Sequence, residues 1–285
     1  MKKYLILGSA GQIGSALAEF VEKKGHKALR FDIVDNSSQD LRIHGNPLLD
    51  KAMRQADYVF FLAFDVGGAR YLKKYQETHE FISNNMKLMN ATFDMLKKHK
   101  KPFIFASSQM SNMSHSTYGN LKAIGQAYTR VLGGITVKFW NVYGIEHDPE
   151  KAHVITDLIK KGQNGKGRKE KILDLMTDGT EERQFLHSED CSECLLTLAE
   201  RDTKIPRDKE LHVTSFEWTS ILDIANIISK NFGSVKVKPA KTKDNVQRGL
   251  RNEPDPFILK YWKPKTRVDE GIRKVIEAME HAKNS

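Results

Sequence analysis

The sequence contains two cysteines in 285 residues and no apolar stretch long enough to cross a bilayer. Two cysteines are too few for the disulfide framework that stabilises small secreted domains. The run Tyr4 to Leu7 stops at a glycine and is too short for the core of a signal peptide. A membrane span needs about 20 apolar residues. These absences predict a cytoplasmic protein with no membrane partner.

The two cysteines, Cys191 and Cys194, form a C-x-x-C pair, a spacing that also occurs in zinc and redox motifs. The pair falls within a predicted helix, Glu189 to Glu200, and the sequence has no second pair. We therefore expect two reduced cysteines that pack together in the interior, and we predict no metal site.

The net charge of +10 has two interpretations. A basic surface can bind nucleic acid, or the charge can accompany a pocket for a small anionic molecule. The positive charge is spread along the chain, and its one local cluster, Lys166–Lys171, follows a glycine-containing stretch typical of an exposed loop. We favour the second interpretation and predict no nucleic-acid partner.

The chain begins in the order strand, glycine-rich turn, helix. Lys3 to Leu7 is a short apolar run typical of a buried parallel strand, and Ser15 to Lys24 is predicted to be a helix. Between them lies Gly8-Ser-Ala-Gly11-Gln-Ile-Gly14, with the spacing G-x-x-G-x-x-G instead of the commoner G-x-G-x-x-G. Glycines let backbone amides approach a pyrophosphate, and the helix N-terminus adds the positive end of its dipole. The turn predicts a dinucleotide site.

A second predicted strand, Lys27 to Phe31, ends at Asp32. A carboxylate about 20 residues beyond the glycines hydrogen-bonds the hydroxyls of the adenine ribose. Ile33 and Val34 follow, with no arginine there to meet a 2′-phosphate. The predicted cofactor is therefore NAD and not NADP.

Tyr118 and Lys122 are four residues apart in a predicted helix, with Ser108 upstream. Residues at this spacing lie on one face of a helix, one turn apart. The pKa of a free tyrosine is about 10, and a neighbouring ammonium favours the phenolate and lowers that pKa. The pair is therefore suited to take a proton from a substrate hydroxyl, or to return it, while the carbon loses or gains hydride.

In this order, the glycine turn, Asp32, Ser108 and the Tyr118/Lys122 pair resemble the extended short-chain dehydrogenase/reductases, in particular the NAD-dependent epimerase/dehydratases that act on nucleotide sugars. The resemblance covers nearly the whole chain. The other segments that carry it are Asp40-Leu41, Val59–Phe64, Asn84–Met86, Phe103–Ser108, Lys138–Gly144, Thr177–His187, Tyr261–Pro264 and Asp269–Gly271.

The resemblance implies a role for each matching residue. Tyr118 and Lys122 are the implied proton carriers, Ser108 hydrogen-bonds the same substrate oxygen, and Asn85 holds the helix of the active site. The implied NAD contacts are Gly8, Gly11, Gln12, Ile13, Gly14, Asp32, Asp40, Leu41, Leu62, Ala63, Phe64, Asn85, Tyr118, Lys122 and Val142. The implied contacts to a nucleotide-diphosphate sugar are Gly67, Gly68, Asn141, His153, Arg183, Arg248 and Arg251.

Strands alternate with helices through residue 140, which predicts an α/β fold with a doubly wound parallel sheet, the Rossmann arrangement. A smaller C-terminal lobe is expected to bind the substrate. The predicted NAD-binding domain is 1–144 plus 177–203, and the predicted substrate lobe is 145–176 plus 204–285.

Two further expectations follow from the resemblance. Helices near 79–99 and 118–132 resemble the family's dimer helices and imply a homodimer. Family members usually place a longer loop between the serine and the tyrosine than Gln109 to Thr117. We expect the substrate pocket to be more open on that side, or to be closed by the partner subunit or by the 145–176 segment.

The reaction has a leading interpretation. A C4 epimerase needs no acid or base beyond the serine, tyrosine and lysine, because the keto sugar turns over and takes the hydride back on its other face. A 4,6-dehydratase of this family has an acidic pair just after the serine. This sequence has Gln109-Met-Ser111 there, so dehydration is not expected.

An alternative comes from Val66-Gly67-Gly68 and Ala152–Ile155, which resemble GDP-fucose synthases and GDP-mannose 3,5-epimerases. His153 matches a general acid of the former. Both families pair their acid/base with a cysteine soon after the serine, where this chain has Met110. A keto-sugar reductase or a 3,5-epimerase is the resulting alternative, and a reductase usually requires NADPH, against which Asp32 argues.

The remaining alternative is a protein that keeps the dinucleotide but serves as a non-catalytic regulator. The intact serine, tyrosine and lysine argue against it.

Arg183 resembles the arginine that meets the nucleotide phosphates, and Arg248 or Arg251 resembles a later arginine that clamps the diphosphate.

Overall fold

Strands and helices alternate along the chain in the computed structural model, which describes residues 1–146, 148–164, 172–233, 235–243 and 252–284. The strands are β1 (Lys3–Leu7), β2 (Lys27–Phe31), β3 (Tyr58–Phe61), β4 (Phe103–Ser108), β5 (Ile135–Phe139), β6 (Asn141–Tyr143), β7 (Ile172–Asp174), β8 (Glu182–His187), β9 (Leu211–Val213), β10 (Trp218–Ser220) and β11 (Lys236–Lys238). The helices are α1 (Gln12–Lys23), α2 (Pro47–Gln55), α3 (Ala69–Tyr75), α4 (His79–His99), α5 (Thr117–Val131), α6 (Val154–Asn164), α7 (Ser188–Glu200), α8 (Ile221–Asn231) and α9 (Val268–Asn284).

The main sheet has six strands in the order β2-β1-β3-β4-β5-β9. Every neighbouring pair runs parallel. The strand order reverses between β1 and β3, and open α/β sheets bind their ligands in the crevice at the carboxyl ends of the strands beside such a reversal. The predicted doubly wound Rossmann fold is confirmed.

The side chains of the buried strands alternate between two apolar cores, one on each face of the sheet. Tyr4 and Ile6 of β1 pack in the core that contains residues of α1 and α7. Leu5 and Leu7 pack in the core that contains residues of α2, α4 and α5. Because helices cover both faces, the central strands β1 and β3 are apolar at nearly every position, which explains the short apolar runs of the sequence.

A third apolar core lies in the C-terminal half and joins α6, α8 and α9 through residues such as Ile159, Ile228 and Ile272. Two small sheets, β10-β8-β6 and β11-β7, contribute to it. Tyr143 of β6 and Phe185 of β8 belong to this core. Strand β6 follows directly on β5 of the main sheet, so this short segment connects the sheet to the third core.

The segment 211–213 differs from its expected place. It lies in the range predicted for the substrate lobe, but it forms β9 at the edge of the main sheet, beside β5. Ile258 and Trp262 also pack in a core of the main sheet. A strand of three residues has no periodic pattern that a sequence can display. The rest of the expected division into domain and lobe stays a prediction.

Helix α1 begins at Gln12, earlier than the predicted start at Ser15. Gly11 before it is extended, with φ −72° and ψ 165°. Ile13 and Gly14 therefore lie in the first helical turn, where backbone N–H groups have no partner within the helix. The early start places these groups at the glycine turn, where an anion would use them.

Cys191 and Cys194 are free thiols with no exposed surface, in the core formed by α7 and the main sheet. Burial raises the pKa of both thiols above the usual range. The prediction of two reduced, packed cysteines is confirmed. Within the described ranges, no group of His, Cys, Asp and Glu side chains is placed to hold a metal ion, and no helix is long and apolar enough to span a bilayer.

Asp190 of α7 holds the segment that leads into α9. It is 4% exposed, and its carboxylate accepts hydrogen bonds from the backbone N–H groups of Lys265 (2.9 Å) and Thr266 (2.7 Å). Asp190→Ala removes the acceptor of both, so we expect the free energy of unfolding to fall by about 2–3 kcal/mol. Asp190→Asn keeps one acceptor oxygen and is expected to cost less than about 1 kcal/mol. Urea unfolding followed by circular dichroism measures both variants, and equal losses would contradict this role.

Candidate active site

Two adjoining cavities open at the carboxyl ends of the main-sheet strands. The first has a volume of about 520 Å³ and extends along the glycine turn and the ends of β2 and β3. The second, of about 540 Å³, lies between the loop before α3, β6 and the residues around β7 and β8. One set of side chains lines both cavities and marks their junction: Val66, Ser108, Tyr118, Trp140, Val142 and His153.

Close backbone approach shapes the glycine turn in the first cavity. Gly8 has φ +89°, and a Cβ there would lie 2.7 Å from the backbone nitrogen of Ala63. A Cβ on Gly14 would collide with the Gly8 carbonyl oxygen. The cavity is lined here by Gly8, Gly11, Gln12, Ile13 and Gly14. A turn without side-chain bulk at the start of a helix fits the pyrophosphate of a dinucleotide.

The predicted cofactor contacts Asp32 and Asp40 are among the carboxylates that line the first cavity. The two oxygens of Asp32 accept hydrogen bonds from the backbone N–H groups of Ala10 (3.0 Å) and Val34 (2.9 Å), which fix the carboxylate beside the glycine turn. Asp40 pairs with Arg42 at 2.8 Å, and the hydrogen bond from Arg42 holds the pKa of the Asp40 carboxyl below its usual value. Leu41, between the two, also lines the cavity.

The residues after β3 line the cavity as expected, namely Leu62, Ala63 and Phe64. Asn85 does not line it. Asn85 is fully buried, and it pairs with the backbone of Asp65: its Oδ1 accepts from the Asp65 N–H (2.8 Å), and its Nδ2 donates to the Asp65 carbonyl (3.1 Å). Asn85 therefore holds the turn after β3, in place of the expected hold on the active-site helix and contact with NAD.

Gln12 connects the glycine turn to β6. In the amide orientation that satisfies both of its neighbours, Nε2 donates to the Val142 carbonyl (3.1 Å) and Oε1 accepts from the Gly144 N–H (3.0 Å). Val142 lines both cavities. One side chain of the glycine turn is therefore hydrogen-bonded to β6, which borders the second cavity.

Two of the three predicted catalytic residues, Ser108 and Tyr118, lie at the junction of the cavities, and Lys122 lines the first cavity. Ser108 ends β4, and its Oγ accepts a hydrogen bond from the Met110 N–H (3.1 Å), which leaves the hydroxyl hydrogen to serve as a donor. Tyr118 lies in the first turn of α5 and is 8% exposed. The edge of its ring contacts Phe64, with the centroids 5.7 Å apart.

Burial controls the proton affinities of Tyr118 and Lys122. The Nζ of Lys122 donates to the Ala106 carbonyl (2.6 Å) and lies 3.7 Å from the centroid of the Phe64 ring. Loss of solvent lowers the pKa of Lys122 to about 7. It raises the pKa of Tyr118 to about 12, against a smaller opposing effect of the Ser108 hydroxyl. This direction is the opposite of the lowering predicted from the Tyr-Lys spacing, because desolvation of the buried phenol is the largest effect.

The second cavity has the polar groups that an anionic substrate requires. The Nδ2 of Asn141 is buried and has no hydrogen-bond partner among the described residues, so it is a donor in need of an acceptor. Arg183 lines the cavity, with its Nη1 donating to the Glu182 carbonyl (2.6 Å). Other basic residues that line it are Arg70, Lys73, Lys161 and Lys243. Arg248 and Arg251 fall outside the described residues.

His153 lies at the junction, where no periodic pattern would place it. Its backbone N–H donates to Glu146 Oε2 (2.7 Å), and its ring Nδ1 contacts Glu146 Oε1. Gly67 and Gly68 line the second cavity beside it, and the Gly68 N–H donates to the Lys151 carbonyl (2.9 Å). The sequence contains no signal for Glu146, since a spacing of seven residues through a loop matches neither a strand nor a motif.

The short 109–117 segment contributes Gln109 and Met110 to the lining of the second cavity. Residues 152–155, which belong to the 145–176 segment, line the same cavity. How this side of the site is closed stays a prediction. Trp140, another residue that the sequence did not single out, lines both cavities and donates from its Nε1 to His212 Nδ1 (3.1 Å).

The sequence profile of the NAD dependent epimerase/dehydratase family matches residues 4–213. The chain belongs to this family. The match contains the glycine turn, Asp32, Asp40 and all three residues of the predicted catalytic group.

Two curated relatives are similar in sequence. A GDP-L-fucose synthase of Sinorhizobium fredii (strain NBRC 101917 / NGR234) is 28% identical over 159 residues, which cover 54% of this chain and 49% of that relative's length. The chain thus spans about half of that relative. A GDP-mannose 3,5-epimerase 1 of Oryza sativa subsp. indica is 26% identical over 315 residues, which cover 94% of this chain and 79% of the relative.

A solved structure with the same fold is the Bordetella bronchiseptica enzyme WbmF in complex with NAD+. The TM-score is 0.80, the sequence identity is 19%, and the superposition covers 99% of this chain and 94% of that chain. The family match confirms the predictions of an enzyme and of NAD as its cofactor, and the solved structure shows the same fold.

The buried amine of Lys122 predicts how stability depends on pH. Its pKa falls from 10.5 to about 7 on folding, so the unfolded chain binds more protons between those values, and stability rises with pH there. Lys122→Met removes this term. We expect the variant to gain stability relative to the wild type below pH 7, and the difference between them to shrink by about 3–5 kcal/mol as pH rises towards 10. Urea unfolding at several pH values tests this, and a constant difference would contradict it.

Proposed function

We propose that this family member is a NAD-dependent nucleotide-sugar epimerase that oxidises a sugar hydroxyl to a ketone and reduces it again on the other face. The observation that carries the proposal is that Ser108 and Tyr118 line both the dinucleotide cavity and the second cavity, while Lys122 lines the first cavity one helical turn from Tyr118. A nucleotide-diphosphate sugar is the substrate class that fits the second cavity. Its cationic side chains can bind the phosphates, and the donor of Asn141 can bind a hydroxyl group of the sugar.

The proposed chemistry uses the residues as follows. NAD, when bound, supplies the acceptor and donor of hydride. The Tyr118 oxygen takes the proton of the sugar hydroxyl and returns it, and the Ser108 hydroxyl stabilises the charge that develops on that sugar oxygen. Lys122, with a pKa of about 7, exists in both protonation states near neutrality. A proton that moves from the buried phenol to the buried amine leaves the net charge of the pair unchanged.

The wall after Ser108 supports epimerisation at C4 over dehydration. Gln109 and Met110 are each 6% exposed and line the second cavity. Neither side chain can release a proton as a general acid near neutral pH. These two residues therefore cannot help a hydroxyl group to leave as water. A C4 epimerase needs only the hydride cycle and the proton carried by Tyr118.

A second candidate function is a nucleotide keto-sugar reductase or a 3,5-epimerase, and the position of His153 favours it. His153 lines both cavities together with Tyr118, which places a second titratable group near the reacting sugar. The relatives named GDP-L-fucose synthase and GDP-mannose 3,5-epimerase 1 support the same candidate. Met110 stands where those families have a cysteine.

The cofactor released from the protein and the products in D2O distinguish these functions. We expect denaturation of the purified enzyme to release NAD. We expect incubation with GDP-, UDP-, CDP- and dTDP-sugars in D2O to give a C4 epimer without deuterium on carbon. A reductase would consume NADPH on a keto sugar, and a 3,5-epimerase would place deuterium at C3 or C5. No turnover and no bound dinucleotide would contradict the proposal and favour a non-catalytic module.

Tyr118→Phe isolates the proton step. It removes the phenol oxygen and keeps the ring, so we expect kcat to fall at least ~10³-fold, since a positioned acid–base group contributes about 10²–10⁴, with NAD still bound. Tyr261→Phe is the matched control, because Tyr261 lies outside both cavities and donates to the Lys204 carbonyl (3.3 Å). Steady-state assays with the active sugar measure both variants. Equal activity of Tyr118→Phe and wild type would overturn the proposed role.

A cytoplasmic homodimer that binds no nucleic acid completes the proposal. The apolar residues Ile124, Tyr128 and Val131 lie on α5 at helical spacing and are 39%, 38% and 80% exposed. Ile82 on α4 is 38% exposed. Exposed apolar residues grouped on two helices are suited to a second copy of the same helices.

Ile124→Lys tests the proposed dimer. A charge on this face would be buried without a partner, so we expect the variant to be a monomer with an unchanged circular dichroism spectrum. Light scattering coupled to gel filtration measures the mass, and the wild type should give twice the mass of one chain. Leu48→Lys on α2 is the control, since Leu48 is also 38% exposed but lies on another helix. A monomeric wild type would refute the dimer.

A further inference from the structure

A buried carboxylate holds the imidazole of His153 from one side. The side chain of Glu146 is 7% exposed, whereas that of His153 is 40% exposed. One Glu146 oxygen accepts from the His153 backbone N–H (2.7 Å), and the other contacts ring Nδ1. A carboxylate accepts hydrogen bonds, so this contact fits an imidazole that carries its hydrogen on Nδ1.

The loop with two glycines holds the same residue from the other side. A Cβ on Gly68 would lie 2.6 Å from the Ala152 carbonyl oxygen and 3.1 Å from the His153 Cα. A Cβ on Gly67 would lie 2.9 Å from the Lys151 Cα. The glycines therefore let the segment that bears His153 approach the loop after β3. This packing gives the two glycines a function in placing His153.

The charges around this pair are also fixed. Lys151 forms an ion pair with Asp65 (3.3 Å), and the Tyr71 hydroxyl donates to the same Asp65 oxygen (2.6 Å). Lys160 donates to the backbone carbonyl of Glu146 (3.3 Å), and so it does not neutralise the carboxylate. Of these contacts, only that of Glu146 reaches the His153 ring.

We propose that Glu146 is a positioning residue that fixes His153 as the Nδ1–H tautomer, with Nε2 directed to the junction of the cavities as a second proton carrier. With a substrate of the second candidate function, Nε2 takes the proton from a carbon next to the ketone, and the two electrons of that C–H bond form the enolate. The imidazolium then returns the proton to that carbon or exchanges it with water. This step rests on that second candidate. Deuterium at C3 or C5 would support the step, and a C4 epimer without deuterium on carbon would refute it, while the positioning role is decided by the tautomer.

The tautomer is measured without any substrate. Protein labelled with ¹⁵N in histidine and loaded with NAD gives long-range ¹H–¹⁵N spectra that distinguish the two tautomers, and loss of one signal set in His153→Gln assigns the residue. We expect Nδ1–H in the wild type and a mixture or Nε2–H in Glu146→Gln. Glu150→Gln is the matched control: Glu150 lies in the same loop, outside both cavities, and accepts from Tyr75 (2.5 Å). Nε2–H in the wild type, or the same tautomer in Glu146→Gln, overturns the proposal.

The nucleophilicity of Nε2 gives a second readout. Diethylpyrocarbonate acylates a free imidazole lone pair, and peptide mass spectrometry gives the rate at His153 alone. We expect Glu146→Gln to slow this rate ~5-fold or more, since an orienting carboxylate raises the basicity of the opposite ring nitrogen. Glu150→Gln should react like the wild type, and Glu146→Asp, which keeps the charge, should recover part of the rate. Equal rates in Glu146→Gln and wild type overturn the proposal.

The two proposals fail separately. If no nucleotide sugar turns over but the tautomer depends on Glu146, the proposed function fails and the positioning of His153 stands. If a C4 epimerase activity is found and the tautomer does not depend on Glu146, the positioning role alone is refuted.

Discussion

The active site depends on the enclosure of the Lys122 amine against the Ala106 carbonyl. This contact joins α5 to β4, and it thereby sets Tyr118, one helical turn earlier, beside Ser108 at the end of the same strand. The loss of solvent that lowers the pKa of the amine also raises that of the phenol. Proton affinities at this site are therefore set by desolvation more than by an ion pair, and holding a lysine in such a place costs stability.

The polar residues around the cavities fall into two groups, one on regular secondary structure and one on loops. Ser108, Tyr118 and Lys122 lie on a strand and a helix of the main sheet, whose packing holds their positions. His153 and Glu146 lie in a connection between β6 and α6, where neighbouring loops hold them through glycine contacts and hydrogen bonds. Loops carry specificity in many α/β enzymes because they change without disturbing the sheet. The predicted serine–tyrosine–lysine group and the loop that bears His153 are thus separate parts of the fold.

Local patterns predicted the parts of the site that are local in sequence. The glycine turn, Asp32 and the Tyr118/Lys122 pair each occupy one strand–helix connection or one helical turn, where spacing alone fixes the geometry. Glu146 and Trp140 reach the site from a loop and from a strand end, so their placement depends on tertiary packing. The same limit explains the pKa of Tyr118: spacing indicated a neighbouring amine, but the extent of burial follows from the assembled fold.

Strand β9 and Asn85 lie in places that neither the family resemblance nor the local sequence predicts. Three residues form an edge strand only because β5 is present to pair with them, and their own sequence does not specify it. Asn85 was assigned to the cofactor by its place in a motif, but its hydrogen bonds with Asp65 satisfy the amide inside the turn after β3. The motif indicates that Asn85 has a role near the site, and its hydrogen bonds show that this role is to hold the turn after β3.

The burial of the two thiols determines how this enzyme responds to reagents that attack cysteine. The chain has no cysteine besides Cys191 and Cys194, and both are enclosed in the core with a raised pKa, so neither forms thiolate near neutral pH. Electrophiles and disulfides that inactivate enzymes through a reactive thiolate therefore find no target in the cavities. Since no cysteine lines either cavity, a change in the thiol–disulfide balance of the surroundings has no thiol to act on at this site.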